Sequence, residues 1–469
     1  MKYTTISRLT RELLTSNDSS KRRIAAERLS KADERAIYPL IKALKDDDLG
    51  VQDAAIQSLI SIGGEVTAYM VIPLLREDSQ LRNTAILILQ EIGPEALPLL
   101  RVLLSDKDDD VRKFAIDIIG KIGKWDYPEI LVEMLKKDPN PNVRASAAKT
   151  IGILNYREAL SDLWNALYDE EWVCFSALEA LGLIKDELSI PYISKLLESD
   201  SLTVRCAAIE TLGILGYKSG ADPLIKRFFS SDSFEKGIII KSLVLLENVP
   251  SLGDIYDYLI AMLNSDDLKE KEIGLKGLKL LGDKKAIPVI IDIAGSLDPS
   301  NPEVEDFLIY TKKILYDFGC YEELIKVIED PSTKYRGKVI AIEVIGDLKC
   351  KKAVPVLIRL IHTDMRDVRR ASMVAMAQIN DTENTSFFID AISSEDGHIR
   401  RTALSALGRI ADKNTFDPIF ELLKKEVYED VIEEAIRALL KINRDKYIAM
   451  QTHLSSRIKE ITNNVLIYG

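Results

Sequence analysis

The stretch DVRKFAIDIIGKIG, residues 110–123, constrains this chain more than any other because it recurs. Val111, Ala115, Ile119 and Ile122 follow one another at intervals of four, four and three, which puts them on one side of a 3.6-residue period. Asp108, Asp109 and Asp110 stand at the start, where carboxylates accept from free amides and meet the positive end of the helix dipole. Gly123 permits the turn that ends the helix. The template returns in VQDAAIQSLISIG (51–63), LRNTAILILQEIG (81–93), VRASAAKTIGILN (143–155) and VRCAAIETLGILG (204–216), and again in VRRASMVAMAQIN (368–380), IRRTALSALGRIA (399–411) and VIEEAIRALLKIN (431–443). Adjacent regular units lie 30 to 32 residues apart, a period that identifies a solenoid.

Each template follows a second apolar segment, such as YPLIKALKD (38–46), LPLLRVLLSD (97–106), IPYISKLLES (190–199) or VPVLIRLIHT (354–363). Pro39, Pro98, Pro191 and Pro355 stand where a helix starts, a place at which the missing amide costs little. The unit is therefore a pair of antiparallel helices, and the whole is expected to be an all-α superhelix, a solenoid of about 14 helical-hairpin repeats. One pair cannot cover its own apolar face, so stacking must build the core. At 46% hydrophobic and 29% charged residues, the 469-residue chain can supply that core along its length.

The pattern Asp-x-x-Val-Arg-x-x-Ala-x-x-x-Leu-Gly-x-Ile-Gly resembles the short HEAT-like repeats of the phycobilisome-lyase type. It is carried by Val111, Arg112, Ala115, Ile119, Gly120, Ile122 and Gly123, and again by Val204, Arg205, Ala208, Leu212, Gly213, Ile214 and Gly216. The resemblance implies an armadillo-type α-solenoid and is almost silent on activity, since such scaffolds serve unrelated functions. Cys174 stands at the arginine position of its unit, and the signature fades in SFEKGIIIKSLVLL (233–246), KEIGLKGLKLLG (271–282) and LIYTKKILYDFG (308–319), where spacings grow to 35 and 37 residues. The expected organisation is regular repeats over 1–231, irregular central repeats with longer turns over 232–320, and further repeats with a capping helix over 321–469.

The resemblance implies that the second helices line the inner curve. The residue after each arginine position, and the one four further on, then face outward from the core. In the middle of the chain these stripes combine Phe175, Ile309 and Val339 with Lys241, Lys276 and Lys313, apolar anchors beside cations that would suit an acidic protein or peptide surface. Trp164, Tyr168 and Trp172, four apart, read as one aromatic helical face that packs between repeats. Arg82, Arg112, Arg144, Arg205, Arg369 and Arg400 read as structural, each holding an acid or a helix-end carbonyl of its own or the adjacent unit.

Chemistry finds little purchase. Asp106, Asp108 and Asp110 imitate the start of a calcium loop, but Val111 stands where that loop requires Gly and Asp117 where it ends in Glu. His362, His398 and His453 are isolated in sequence, and Cys174, Cys206, Cys320 and Cys350 form no Cys-x-x-Cys. Cys174 and Cys206 occupy corresponding faces of neighbouring repeats, which makes a disulfide imaginable, yet sparse cysteine and no secretory leader favour reduced thiols in the cytoplasm. No phosphate loop, His-Glu-x-x-His or Gly-x-Ser-x-Gly is present. With 63 Lys plus Arg against 74 Asp plus Glu, a net charge of −11 argues against nucleic acid, and no 18-residue apolar run suggests a membrane span. No catalytic residue, cofactor or metal is assigned. The favoured reading is a non-catalytic cytoplasmic scaffold or adaptor that binds a protein or peptide on its concave or central surface. The alternative is a HEAT-like enzyme acting on a small-molecule, chromophore or nucleic-acid substrate.

Overall fold

The computed structural model describes residues 3–251, 253–319, 321–363, 365–379 and 382–468, and Cys320 lies outside them. Among the described residues the regular structure is helical, with no strand. Contacts divide the chain into two compact units, Met1–Asn248 and Val249–Gly469.

In the first unit eight second helices follow one another among the described residues, from Ser19–Leu29 through Asp109–Ile122 to Ser233–Leu245. Each packs on its neighbour in sequence order, and shorter first helices such as Ile37–Ala43, Leu97–Leu103 and Leu160–Ala166 cover one side. The second unit repeats this with Leu268–Leu281, Pro302–Phe318, Tyr335–Asp347, Arg366–Ile379, Gly397–Ile410 and Glu429–Met450, closed by Ser456–Tyr468. On that last helix Ile458, Ile461 and Val465 are buried, and the Tyr447 hydroxyl lies 2.7 Å from Thr462 Oγ1.

Local chemistry explains the boundaries. Asp108 accepts from the Asp110 amide at 3.1 Å, and Gly123 closes the helix at φ 73°. Asp48, Asn140, Ser201, Asp232 and Asp396 cap their own helices the same way. Pro98, Pro191 and Pro355 occupy the second residue of first helices, where no intrahelical amide is needed.

The arginine positions form a ladder between repeats. Arg112 donates to the Asp106 carbonyl at 2.8 Å and, through Nε and Nη2, to both oxygens of Asp138 at 2.7 and 2.9 Å. Arg144 repeats this with the Asp138 carbonyl at 2.9 Å and the Asp169 carboxylate at 2.8 and 2.7 Å. Arg22 uses the Ser16 carbonyl and Asp46, and Arg400 the Ser394 carbonyl and Glu426. Arg205 uses the Ser199 carbonyl and Glu235, which also receives Arg227. A planar fork with five donors can hold a carbonyl in its own turn and a carboxylate in the next at once. Gln52 keeps the carbonyl half of the arrangement, donating to the Asp46 carbonyl at 2.6 Å.

Eight residues beyond the arginine position stands the signature glycine. A Cβ on Gly152 would lie 2.5 Å from Ala180 Cα, on Gly213 2.8 Å from Ser242 Cβ, and on Gly408 3.0 Å from Ala438 Cα. Each meets the small residue two positions earlier in the next unit's register. Consecutive second helices therefore touch backbone to small side chain. This contact fixes Lys236 as the arginine equivalent of the irregular unit 233–246, because Ser242 falls six beyond it as Ala180 does beyond Cys174.

Candidate functional site

Both predicted stripes lie in solvent reach: no residue of either set is buried, from Arg23 and Glu27 at one end to Glu433 and Arg437 at the other. Their charges largely pair with one another. Lys113 meets Asp117 at 2.7 Å, Lys149 meets Glu179 of the next helix at 3.0 Å, and Arg437 meets Glu433 at 3.2 Å. Such exposed pairs contribute about 0–1 kcal/mol each and exchange readily for a partner's charges.

The six candidate contacts are divided between the two units. Phe175 and Lys241 belong to the first unit, Lys276, Ile309, Lys313 and Val339 to the second. Phe175 is half-buried under Trp172, ring edge to face at 6.2 Å. Lys241 and Lys276 are half-buried, Lys313 is exposed. Ile309 and Val339 come together in a cavity of about 490 Å³ between Pro302–Phe318 and Tyr335–Asp347.

That cavity follows from the long turn after Ile287–Ser296. Gly295 on this helix meets Gly337 so closely that an added Cβ would stand 2.6 Å from the Gly337 amide nitrogen. The turn then folds Leu297 and Pro299 into the cavity wall beside Leu308, Ile309, Tyr335 and Val339. Arg336 holds the turn by donating to the Leu297 carbonyl at 3.0 Å. At the rim Lys312 pairs with Glu343 at 2.5 Å, so Lys312, not its neighbour Lys313, lines the cavity. The turn's length was visible in the spacing of the repeats. That it would contribute Leu297 and Pro299 was not, since the path of a turn depends on the fold of both flanking helices.

Other expectations resolve locally. Trp164, Tyr168 and Trp172 do not share a face, because Tyr168 lies in a turn between Leu160–Ala166 and Glu171–Ile184. Trp164 packs between repeats, stacked on Tyr192 at 4.1 Å with Nε1 donating to Ser189 Oγ at 3.0 Å, whereas Trp172 is exposed. Ile214 does not occupy the inner position of the signature. It is half exposed, and the adjacent Leu215 is the buried residue. Cys174 and Cys206 are both free thiols, and burial, reinforced by Glu171, pushes Cys174 up to about 11. Asp106 is paired with Arg76 and accepts from the Asp108 amide, so the aspartates of residues 106–110 serve a capping turn. Among the described residues no three His, Cys, Asp or Glu side chains are grouped as metal ligands. No helix among them is long and apolar enough to cross a membrane.

Stacked hairpins joined by an arginine ladder define an α-solenoid. The chain belongs to the HEAT-repeat family, whose profile matches residues 6–90, 70–138, 96–181, 171–243 and 321–391. Among curated proteins it is similar to deoxyhypusine hydroxylase of Candida albicans, 26% identical over 246 residues, covering 44% of this chain and 74% of that protein. Among solved structures it is similar to a chain of the Kap95p and RanGDP structure, with a TM-score of 0.56 and 12% identity over 96% of this chain and 75% of that one. It is also similar to importin beta, with a TM-score of 0.51 and 13% identity over 94% and 77%. At these identities the structural likenesses show the fold alone.

Proposed function

We propose that the chain is a non-catalytic scaffold that holds a protein or peptide on the face carried by its second helices, with Ile309 and Val339 among the contacts. The observation that carries this reading is the apolar cavity between Pro302–Phe318 and Tyr335–Asp347, rimmed by the exchangeable Lys312–Glu343 pair. An aliphatic or aromatic anchor losing about 100–150 Å² of apolar surface there would contribute roughly 2.5–4 kcal/mol. That suits one hot-spot side chain surrounded by charge of both signs, since Lys312 and Arg336 line the cavity with Glu305, Glu343 and Asp367. Phe175 and Lys241 belong to the first unit and would form a separate contact.

The similarity to deoxyhypusine hydroxylase supports a second reading, a HEAT-like enzyme acting on a small-molecule, chromophore or nucleic-acid substrate. One experiment separates the two. The full chain and an Ile309→Asp/Val339→Asp variant, both shown to be folded, serve as baits for cross-linking and mass spectrometry, alongside metal and small-molecule analysis of the purified protein. A partner cross-linked beside the cavity and lost from the variant is the expected result. Equal capture by both rejects this surface, and a bound cofactor or small molecule with no macromolecular partner favours the enzyme.

A further inference from the structure

Four consecutive second helices of the first unit expose an aliphatic residue at one register position near their C-terminal ends. Ile153, Leu183, Ile214 and Leu245, each nine beyond its arginine position, are 44, 50, 50 and 53% exposed. The four preceding units carry Lys31, Ser61, Glu91 and Lys121 at the same place, all exposed. Packing of the repeat therefore does not require an aliphatic side chain there. The first three residues each follow a signature glycine, Gly152, Gly182 or Gly213, where adjacent helices come close. A Cβ on Gly182 would stand 3.4 Å from Ile214 Cγ2, so Ile214 leans onto the helix that carries Leu183, and the four helices pack in sequence order. The result is a ridge of half-exposed aliphatic side chains, one on each of four adjacent helices, a feature that marks interaction surfaces.

The ridge meets a different surface at one end. Ile153 lines a cavity of about 600 Å³ with Lys113, Asp117, Lys121 and Lys149. Lys113 is paired with Asp117 and Lys149 with Glu179, and Lys121 adds a further positive charge.

We propose that this ridge binds an amphipathic α-helix of another protein, with an aliphatic seam along Ile153, Leu183, Ile214 and Leu245 and acidic residues at the end over Lys121. Aliphatic side chains offer no hydrogen-bonding ladder, so nothing on the ridge would order the backbone of a segment laid on it in extended form. A helix satisfies its backbone internally and presents only side chains. Packed helices lie about 8–10 Å apart, and a helix returns to nearly the same face every seven residues, a rise of about 10.5 Å. Four anchors over three such steps correspond to a partner helix of about 20 residues. The ridge and the Ile309 cavity lie in different units, so either assignment stands if the other fails.

Two phage-displayed libraries test it on the full chain. One fixes aliphatic residues in a heptad seam and randomises the other positions, and the other fixes the same residues in strict alternation. The expected result is enrichment from the heptad library alone, with acidic residues accumulating at one end. Enriched peptides should bind Leu183→Asp/Ile214→Asp at least 10-fold more weakly, bind Leu183→Ser/Ile214→Ser more weakly too, and be unaffected by Ile309→Asp/Val339→Asp. Lys121→Glu should weaken the acid-ended clones several-fold. Failure of the heptad library to enrich overturns the proposal, as does enrichment from the alternating library instead, or equal binding to the ridge variants. A concentration-dependent dimer abolished by Leu183→Asp/Ile214→Asp would also overturn it, assigning the ridge to a second copy of this chain.

Discussion

Two glycines of the first unit should respond in opposite directions to the same substitution. Both lie within second helices, where replacing Gly by Ala ordinarily stabilises by about 0.8–1.0 kcal/mol. At Gly237 an added Cβ meets nothing within 4 Å, so Gly237→Ala should deliver that full gain. At Gly152 the same atom would stand 2.5 Å from Ala180 Cα, 2.7 Å from its Cβ and 3.2 Å from its carbonyl oxygen. Carbon atoms in contact prefer about 3.5–4.0 Å, so Pro141–Ile153 and Glu171–Ile184 must part by roughly 1 Å. Two of those atoms are backbone and cannot rotate aside. Overpacking of this kind costs about 1–3 kcal/mol, which leaves Gly152→Ala net destabilising by up to about 2 kcal/mol and the two variants roughly 1–3 kcal/mol apart. Urea unfolding followed by far-ultraviolet circular dichroism gives the order of midpoints. Hydrogen exchange of segments 141–184 and 233–245 shows where protection changes. A Gly152→Ala midpoint equal to or above the parent's would refute the claim that glycine is there for helix contact.

The ladder gives two further expectations. Arg112→Ala leaves the Asp138 carboxylate, 6% exposed, and the Asp106 carbonyl without their fork, so stability should fall by about 2–4 kcal/mol. Removing Asp138 as well should recover part of that loss, and an additive double variant would show that the two residues are not coupled. Hydrogen bonds from Arg22, Arg144 and Arg370 hold Asp46, Asp169 and Asp396 below the usual carboxylate range against the opposing effect of burial. A carboxylate depressed in the folded state contributes stability that is complete above its unfolded pKa, about 3.9, and is lost as pH falls through the folded value. Urea midpoints should therefore drop below about pH 4, with a shallower fall in Asp169→Asn; an identical slope would exclude Asp169 from the linkage.

The interior was legible from sequence because every repeat solves the same problem. An arginine just after an acidic turn implies a partner acid or helix-end carbonyl, and the structure has both at Arg112, Arg144, Arg205 and Arg400, but among the described residues only carbonyls at Arg82 and Arg369. Where Gln52 or Lys271 replaces the arginine, the position keeps a carbonyl partner without the fork. Lys271 is buried and donates to the Leu263 carbonyl at 3.1 Å, reaching back eight residues where arginine reaches six. The cavity was only half legible. Periodicity put Ile309 and Val339 on the outward stripe, but their meeting depends on the Gly295–Gly337 contact and on a turn whose path no period describes.

The ridge escaped periodicity for a different reason. In LGILG the pair Ile214 and Leu215 are both apolar, and a stripe counted by hydrophobicity cannot say which one faces inward. Only packing decides, and it buries Leu215 and leaves Ile214 in water. The same ambiguity covers Leu183 beside Ile184 and Ile153 beside Leu154. Comparison between units could have found it: Lys121 precedes Ile122 in a repeat that folds in the same way, so the earlier of the two positions tolerates charge. An aliphatic residue at a position that tolerates lysine gives the repeat no packing it lacks elsewhere, and its run over four units is where selection for a partner would leave a mark. In a solenoid the repeated interior reports the fold, and informative departures are the outward positions that turn apolar together.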